Sequence, residues 1–337
     1  MESAQNAPNP GLIMQLALAY RASAIFFAAS DLDVFTHLSS GPLTAADVAS
    51  RAGAAAEPMR LILESCADVG LLVRRGDTFA NSMTADVFLV RGQPAYLGES
   101  LKYARDLYPA WGSMTALVKT GKPTMPPETI LGDDKAKTRA FVMAMHERAK
   151  GIGSVLPHNV DLSGRTRLLD VGGGPGTYSV ALCRQTPGLT STVLDRPGVL
   201  EVSRELVDAA GFADRVTLMP GDYLETPFGT GFDAVLLSGM MHRETPDNVN
   251  LLLKKAFQAL ETGGMVMVSD VFFEDDRMNT PPFATSFALN MMLTSDHGSA
   301  HAKTAMERWM AANGFTNIAR HDMPKPNPHT LIIGAKP

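Results

Sequence analysis

The spacing of hydrophobic positions changes near residue 162 and divides the chain into two parts. Before that point apolar residues follow helical spacing, and from Gly11 to about Leu38 they cover almost every face of one long predicted helix. A helix that is apolar on all faces must be buried, and a second subunit often supplies the cover. After residue 164, short apolar runs of strand length alternate with amphipathic helices. This alternation predicts an α/β fold with a doubly wound, mostly parallel sheet.

The first hundred residues carry the signals of several short elements. Thr44 and Asp47 have the spacing of a capping box, so a helix begins there and ends near Gly53. A second helix begins near Glu57, and a short hairpin follows around Gly76. Helices followed by a hairpin are the order of a winged helix, which can bind DNA or serve as a dimerisation module.

Charge favours dimerisation over DNA binding. The predicted recognition helix carries Arg60 and Glu64 and little other charge, whereas DNA binding requires a basic face. We therefore predict a winged-helix-like dimerisation domain in residues 1–105, a helical bridge in residues 106–160, and an α/β domain in residues 161–337. The last two apolar runs predict an antiparallel strand pair at the sheet edge.

Composition narrows the class of partner. Hydrophobic residues make up 45% of the chain and charged residues 19%, which is typical of a folded protein. The net charge of −5 argues against attraction to nucleic acid or to anionic membranes. The two cysteines are far apart, the N-terminus lacks the features of a signal peptide, and no apolar run approaches the length of a membrane span. We expect a cytoplasmic protein.

The segment LLDVGGGPGTY is the most informative in the chain. An apolar strand leads directly into Gly172, Gly174 and Gly176, which allow a sharp turn and a close approach of the backbone to a ligand. A dinucleotide fingerprint would require a third glycine where Thr177 stands. The glycines instead follow an acidic residue, Asp170, in a spacing that suits S-adenosylmethionine (SAM).

Two further acidic residues lie at strand ends. Asp195 ends the next predicted strand, where its carboxylate can accept hydrogen bonds from both ribose hydroxyls of a nucleoside. Asp222 follows a later strand, where it can accept from an adenine amino group. An aspartate at a strand end is often only a helix cap, but three acidic strand ends in this order predict a SAM site.

At this point the sequence resembles the plant-type O-methyltransferase family, which includes caffeate and acetylserotonin enzymes and many bacterial small-molecule enzymes. The resemblance covers nearly the whole chain and includes the glycine loop and the segments VLDRPGV, GDYLETPF and FDAVLLSGMMHRETPDN. It implies a SAM-binding fold and a homodimer formed through the N-terminal domain. The positions that it assigns to the cofactor, together with the glycine loop, are Gly172, Gly174, Asp195, Arg196, Asp222, Tyr223 and Ser238.

The resemblance also implies a catalytic base, His242. Imidazole titrates near neutrality and can remove the proton from a hydroxyl, which is otherwise a poor nucleophile. The family flanks this histidine with two glutamates, and Asp270 stands at the first of these positions. Ala302 stands at the second, so the neighbouring His301 becomes a candidate substitute. Arg243 and Glu244 follow the histidine and also depart from the family pattern.

The predicted acceptor pocket rests on the same resemblance. Methionine makes adaptable apolar walls, although ordinary core packing explains each position equally well. We predict no metal site, because the glycine between His297 and His301 makes regular helical facing doubtful and the family uses no metal. The predicted pocket residues are Tyr103, Trp111, Met145, Met291 and Met292.

These observations predict transfer of a methyl group from SAM to a hydroxyl of a small, apolar or aromatic metabolite, with S-adenosylhomocysteine as the product. Two alternatives stay open. In the first, sulfur or carbon is methylated and His242 only positions the acceptor, because a thiolate needs little activation. In the second, the chain is a SAM-binding regulator that uses its winged helix on DNA.

Overall fold

The computed structural model describes residues 9–125, 134–275, 281–325 and 327–337. These residues form two compact units, Met1–Arg105 and Asp106–Pro337. The second unit contains the predicted doubly wound sheet, so the predicted fold class is confirmed. The second unit includes residues 106–160, and among the described residues no boundary near residue 160 separates them from the rest of it. Their assignment as a separate bridge stays a prediction.

The first unit is mostly helical. Its elements are α1 (Pro10–Leu18), α2 (Tyr20–Asp31), α3 (Val34–His37), β1 (Leu43–Thr44), α4 (Ala45–Ala52), α5 (Ala56–Asp68), β2 (Leu72–Arg75), β3 (Thr78–Asn81), α6 (Met83–Phe88) and the start of α7 (Gly98–Gly112). The strands form a small antiparallel sheet in the order β1-β3-β2. The predicted order of two helices and a hairpin is therefore present.

Local chemistry explains these boundaries. The Thr44 hydroxyl accepts a hydrogen bond from the Asp47 amide, and the Asp47 carboxylate accepts one from the Thr44 amide, so the predicted capping box forms. Gly53 ends α4 in the left-handed region at φ 62°. The single helix predicted from Gly11 to Leu38 is wrong in its continuity, because Asp33 adopts φ 53° and its carboxylate accepts from the Thr36 hydroxyl, which ends one helix and begins the next.

One sequence expectation about membranes also needs correction. Residues Pro10–Asp31 are long and apolar enough to cross a membrane by length and composition, with a mean hydropathy of 1.6 over their most apolar window. Arg21 and Asp31 are charged and interrupt the apolar sequence, but the segment as a whole is still long and apolar enough to cross a membrane. Helix α1 has no buried residue, and Leu12, Ile13 and Leu16 are at least 60% exposed. This surface is therefore available for a partner.

The second unit is built around a seven-stranded sheet. Its elements are the end of α7, then α8 (Met114–Thr120), α9 (Lys135–Val155), β4 (Arg167–Val171), α10 (Thr177–Gln185), β5 (Thr190–Asp195), α11 (Pro197–Ala209), β6 (Val216–Pro220), β7 (Phe232–Ser238), α12 (Pro246–Ala259), β8 (Leu260–Asp270), α13 (Pro282–Thr294), α14 (Lys303–Ala312), β9 (Thr316–Asp322) and β10 (Thr330–Ala335). The strand order is β6-β5-β4-β7-β8-β10-β9.

The strands of this sheet follow two patterns. β4 to β8 pair in parallel, and β10 pairs antiparallel with both β8 and β9. The predicted antiparallel pair at the sheet edge is therefore confirmed, with β9 outermost and β10 inside the sheet. Central strands β4 and β7 are buried along almost their whole length, as parallel strands covered by helices on both faces must be. The carboxyl ends of β4 to β8 consequently share one edge, where α/β proteins bind ligands.

Candidate cofactor and catalytic site

The glycine loop follows β4 at this shared edge. Gly172 and Gly174 adopt φ values of 63° and 52°, which favour glycine. A Cβ atom at Gly172 would lie 3.4 Å from Met240 Cγ and 3.6 Å from Tyr223 Cδ1. The side chains of Met240 and Tyr223 therefore pack directly over the loop backbone. The Gly174 amide donates to Asp195 Oδ2 at 2.8 Å. The loop is therefore held to the end of the neighbouring strand.

Asp195 is positioned to accept further hydrogen bonds. Its Oδ1 accepts from the Arg196 amide at 2.7 Å, so two backbone amides use two of about four acceptor positions on the carboxylate. Burial raises the pKa of Asp195, and the two amides and the Arg196 charge oppose that rise. The Arg196 guanidinium lies 3.7 Å from Asp222 Oδ2, and Asp222 Oδ1 caps the Leu224 amide. The strand ends of β5 and β6 are thus joined.

Two buried oxygens on β4 and β7 fit a bound ligand. Asp170 Oδ2 accepts from the Ser179 hydroxyl at 2.6 Å, while Asp170 Oδ1 is buried without a hydrogen bond from the described residues. Burial raises the pKa of Asp170 to about 7. The Ser238 hydroxyl is likewise buried, with the Tyr178 phenol as its neighbour but no well-formed hydrogen bond. Unsatisfied buried acceptors suit a ligand that carries ammonium and hydroxyl groups, as SAM does.

His242 and Asp270 form a buried pair. His242 lies in a 3₁₀ turn after β7, and Asp270 is the last residue of β8. His242 Nδ1 is 2.8 Å from Asp270 Oδ1, and the His242 amide donates to Asp270 Oδ2 at 3.2 Å. Burial alone would raise the pKa of Asp270, but His242, His329 and the Val271 amide hold it below its ordinary value. The described residues give His242 Nε2 no hydrogen bond, so that nitrogen is available for a ligand.

Glu244 is a functional candidate that the sequence did not reveal. It is 8% exposed, and it lies two residues after His242. The Tyr223 hydroxyl donates to Glu244 Oε1 at 2.7 Å, and Asn248 Nδ2 donates to Glu244 Oε2 at 2.7 Å. Burial and the Glu244 charge raise the pKa of Tyr223, so the phenol stays protonated and donates. Tyr223 is 21 residues from Glu244 in sequence, so no local pattern signals this contact.

The position of the second family glutamate lies next to the same turn. Ala302 precedes α14 and offers no carboxylate. His301 Nε2 is 3.0 Å from the Met241 carbonyl, and its ring packs edge-on against Trp309. His301 is therefore bonded to the backbone of the turn rather than to the His242 ring. The Ser299 amide donates to the His242 carbonyl at 2.8 Å, which fixes this loop against the turn.

Helix α13 packs an aromatic side chain against His242 and carries two of the predicted pocket residues. The Phe287 ring on α13 packs edge-on against His242 at a centroid distance of 4.9 Å. Met291 is 8% exposed and lies against Gly298, while Met292 is 41% exposed, so the two methionines point in different directions. Trp111 donates through Nε1 to Asn290 Oδ1 on the same helix. The two other predicted pocket residues, Tyr103 on α7 and Met145 on α9, are half-buried.

Within residues 9–125, 134–275, 281–325 and 327–337, no group of three or more histidine, cysteine or acidic side chains is arranged to hold a metal ion. His297, one of the two histidines considered for such a site, is exposed. The other, His301, is occupied by the Met241 carbonyl, as described above. The described chemistry at this edge is therefore that of hydrogen bonds, one histidine–aspartate pair and apolar walls.

Known proteins match this chain in both units. Residues 119–316 match the model of the O-methyltransferase domain, and residues 14–91 match the O-methyltransferase dimerisation domain. The 3-hydroxy-5-methyl-1-naphthoate 3-O-methyltransferase of Streptomyces sahachiroi is 30% identical, over 97% of this chain and 95% of its own length. The tetracenomycin polyketide synthesis 8-O-methyl transferase TcmO of Streptomyces glaucescens is 32% identical, over 97% of each chain.

A solved structure shows the same fold over the full length. Human N-acetylserotonin methyltransferase, in complex with SAM, matches with a TM-score of 0.88 and 24% identity, covering 100% of this chain and 99% of its own. The resemblance seen in the sequence is thus confirmed by the family model, by relatives over the whole length and by the fold. The chain belongs to the O-methyltransferase family of SAM-dependent enzymes.

Proposed function

We propose that the protein transfers a methyl group from SAM to a hydroxyl of a small, apolar or aromatic metabolite, with His242 as the general base and Asp270 as its positioning partner. The buried His242–Asp270 pair carries this proposal, because it combines a titratable ring, a fixed orientation and an apolar surrounding. The relatives named above methylate oxygen atoms of a naphthoate and of a polyketide, according to their names, and this agrees with an aromatic acceptor.

Proton removal is the step that the protein side chains perform. When the Nδ1–H of His242 donates a hydrogen bond to Asp270, the lone pair of Nε2 is free to accept a proton from the acceptor hydroxyl. The negative Asp270 then stabilises the imidazolium that results. Bound SAM supplies a methyl group that its sulfonium has already activated, so the remaining task of the protein is alignment.

The cofactor would be held by the residues of the glycine loop and of the strand ends. The free acceptor positions of Asp195 suit the ribose hydroxyls, and Asp222 suits the adenine amino group. Gly172 and Gly174 allow the backbone to approach the ligand. Arg196, Tyr223 and Ser238 would complete the contacts, and Asp170 Oδ1 is a further acceptor for the ammonium group.

The acceptor would lie on the side of His242 that faces α13. Phe287 and Met291 supply apolar contact there, and residues 106–160 would contribute Trp111 and Met145. We retain Met292 as a predicted contact of this pocket, while the prediction for Tyr103 rests on the sequence alone. The apolar side chains of Phe287 and Met291 favour a flat aromatic acceptor over a highly charged one.

The N-terminal unit would form a homodimer in a cytoplasmic enzyme. The match to a dimerisation domain covers residues 14–91, which include most of the exposed apolar helix α1. A second copy of the chain would cover Leu12, Ile13 and Leu16, whose exposure is otherwise unfavourable in water. This arrangement requires neither a membrane nor nucleic acid.

The first experiment is calorimetric titration of the full-length protein with SAM, in parallel for the wild type and Asp195→Ala. We expect saturable binding by the wild type and a loss of at least about a hundredfold in the variant, because two hydrogen bonds to a charged group are removed. No binding by folded wild-type protein would overturn the proposal. A panel of phenols, alcohols and thiols would then identify the acceptor class.

The second experiment replaces the proposed base. His242→Gln should lower the rate of methyl transfer to a phenol by about 10²–10⁴-fold and leave the affinity for SAM unchanged. His321→Gln, on an exposed position of β9, is the matched control and should behave as the wild type. If His242→Gln retains full turnover, the reaction needs no base, and methylation of sulfur or carbon becomes the better hypothesis.

A further inference from the structure

The hydrogen bonds of Glu244 connect the two sides of the proposed active site. Glu244 lies beside the 3₁₀ turn that carries His242, and its Oε1 accepts the hydrogen bond of the Tyr223 hydroxyl. The Tyr223 ring at the other end of this bond lies against Gly172, the first glycine of the loop. One buried carboxylate thus connects the catalytic turn with the residue that covers the glycine loop.

The network is closed by bonds on its other side. Asn248 on α12 donates to Glu244 Oε2, so both carboxylate oxygens are bonded and the side chain cannot rotate freely. Lys255 lies two turns after Asn248 on α12, and its Nζ donates to the backbone carbonyls of Tyr223 and Leu224. Helix α12 therefore fixes Tyr223 twice, once through its hydroxyl by way of Glu244 and once through its carbonyl.

A buried carboxylate is costly unless its hydrogen bonds are satisfied, and no lysine or arginine forms an ion pair with Glu244 in the described part of the chain. An apolar residue at this position would pack without that cost. The carboxylate is therefore best explained by its two donors, which are a residue assigned to the cofactor site and a residue at the start of α12.

We infer that Glu244 is a positioning residue, which holds the Tyr223 ring over the glycine loop and so couples SAM binding to the alignment of the turn that carries His242. This inference rests on the proposed function, because it takes Tyr223 as a cofactor contact. Glu244 acts through Tyr223 and needs no contact with the reacting atoms. This hydrogen bond would hold Tyr223 in place before SAM binds. Its loss should therefore weaken SAM binding first and lower turnover only as a consequence.

The test measures SAM and S-adenosylhomocysteine binding by calorimetry for Tyr223→Phe, Glu244→Ala, Glu244→Gln and the double variant Tyr223→Phe/Glu244→Ala. Tyr223→Phe and Glu244→Ala should each weaken SAM binding about tenfold, the equivalent of one hydrogen bond to a charged group. The double variant should be no weaker than Glu244→Ala alone, because both changes remove the same bond. Glu244→Gln should recover most of the affinity, since its amide and that of Asn248 can reorient to keep both bonds.

The control separates positioning from general support of the fold. Asp233 accepts three hydrogen bonds from Thr166 and Arg167 at the opposite end of β7, so Asp233→Asn removes a comparable strand-linking carboxylate far from the site. We expect Asp233→Asn to lower the melting temperature and leave SAM affinity unchanged. In Glu244→Ala, KM for SAM should rise with Kd, while KM for the acceptor stays within about twofold of the wild type.

The inference would be overturned if Glu244→Ala and Tyr223→Phe melt at lower temperature but bind SAM as tightly as the wild type. It would also fail if the two changes add in the double variant. Failure of the proposed function gives a different result, because the wild type itself would then not bind SAM and Asp195→Ala would change nothing. Should Glu244→Ala not fold, Tyr223→Phe and Glu244→Gln still decide the question.

Discussion

The proposed cofactor half of the site and its proposed acceptor half are built by different means. We define the cofactor half as Asp170, the loop Gly172–Gly176, Asp195, Asp222 and Tyr223, and the acceptor half as helix α13 with the apolar side chains near His242. In the cofactor half, backbone amides hold Asp195 and Asp222, a carboxylate holds Tyr223, and the Ser179 hydroxyl holds one oxygen of Asp170. In the acceptor half, the described contacts are mostly packing of aromatic rings, and one side-chain hydrogen bond joins Trp111 to Asn290.

This difference means that the cofactor half specifies its ligand more narrowly than the acceptor half does. Hydrogen-bonding groups at strand ends specify a ligand by the positions of its donors and acceptors. Apolar walls specify only volume and shape, and flexible methionine side chains adapt to ligands of different shape. Variants of the two halves should therefore separate cleanly into changes of SAM affinity and changes of acceptor affinity.

The largest effect is expected at the residue between the halves. Asp270→Asn should reduce kcat by about 10²–10⁴-fold, because the amide donates toward His242 Nδ1 and moves the ring proton to Nε2, which can then no longer accept a proton. SAM affinity should stay at the wild-type value. Single-turnover transfer of labelled methyl groups measures the effect, and a decrease of less than about tenfold would show that the tautomer is not decisive.

A smaller effect is expected in the acceptor half alone. Phe287→Ala removes the ring that packs against His242 and should raise KM for an aromatic acceptor about tenfold, in keeping with the loss of one aromatic contact and its buried area. Calorimetry should give an unchanged Kd for SAM. Phe283→Ala, whose ring is 52% exposed on the same helix, is the control and should change KM less. A weaker SAM affinity in Phe287→Ala would contradict the separation of the halves.

A pH dependence is expected in the cofactor half alone. Because burial raises the pKa of Asp170 to about 7, its carboxyl group is protonated in the free protein at mildly acidic pH. A cationic ammonium favours the ionised carboxylate, so SAM binding should release a proton and tighten as the pH rises from about 5 to 7. Calorimetry in buffers of different ionisation enthalpy measures that proton. Asp170→Asn should bind SAM with no such dependence, and an unchanged slope in this variant would exclude the ammonium contact.

The smallest effect concerns stability behind the glycine loop. His146 Nδ1 is 2.8 Å from the Thr177 hydroxyl, and burial, with the nearby Lys150 charge, lowers the pKa of His146 to about 4. Between pH 4 and 6.5 the unfolded chain binds this proton and the folded protein does not, so the free energy of unfolding falls as the pH decreases through this window. His146→Gln should reduce that slope by at most about 1.4 kcal/mol per pH unit. Urea unfolding of the wild type and of His146→Gln at several pH values measures this slope. The prediction would be contradicted if the free energy of unfolding of both proteins depended on pH in the same way.

Much of the fold follows from the sequence because the signals are local. The Thr44–Asp47 capping box, the Gly76 hairpin and the strand leading to Asp170 depend on neighbours within a few residues. The break at Asp33 was not predicted, because the left-handed conformation of one aspartate is not visible in an apolar pattern. The membrane-span length of the segment from Pro10 to Asp31 was also missed, because Arg21 and Asp31 interrupt its apolar residues although the segment as a whole stays apolar.

The sequence predicted the parts of the candidate site that lie in recognisable motifs. His242 and Asp270, 28 residues apart, are brought to hydrogen-bonding distance at the ends of adjacent parallel strands. The role of Glu244 depends on Tyr223, which approaches from another strand end, and no sequence spacing encodes that contact. The contact made by His301 could not be predicted from the sequence either, because its Nε2 bonds to the Met241 carbonyl and not to the His242 ring.

The position of β10 between β8 and β9 has a consequence for translation. Every residue assigned to the cofactor precedes β10 in the chain, so the ribosome completes the ligand-binding edge before the strand that covers the far side of β8 exists. Until β10 pairs with it, β8 presents an unpaired hydrophobic edge to other chains, and an unpaired edge of this kind favours aggregation.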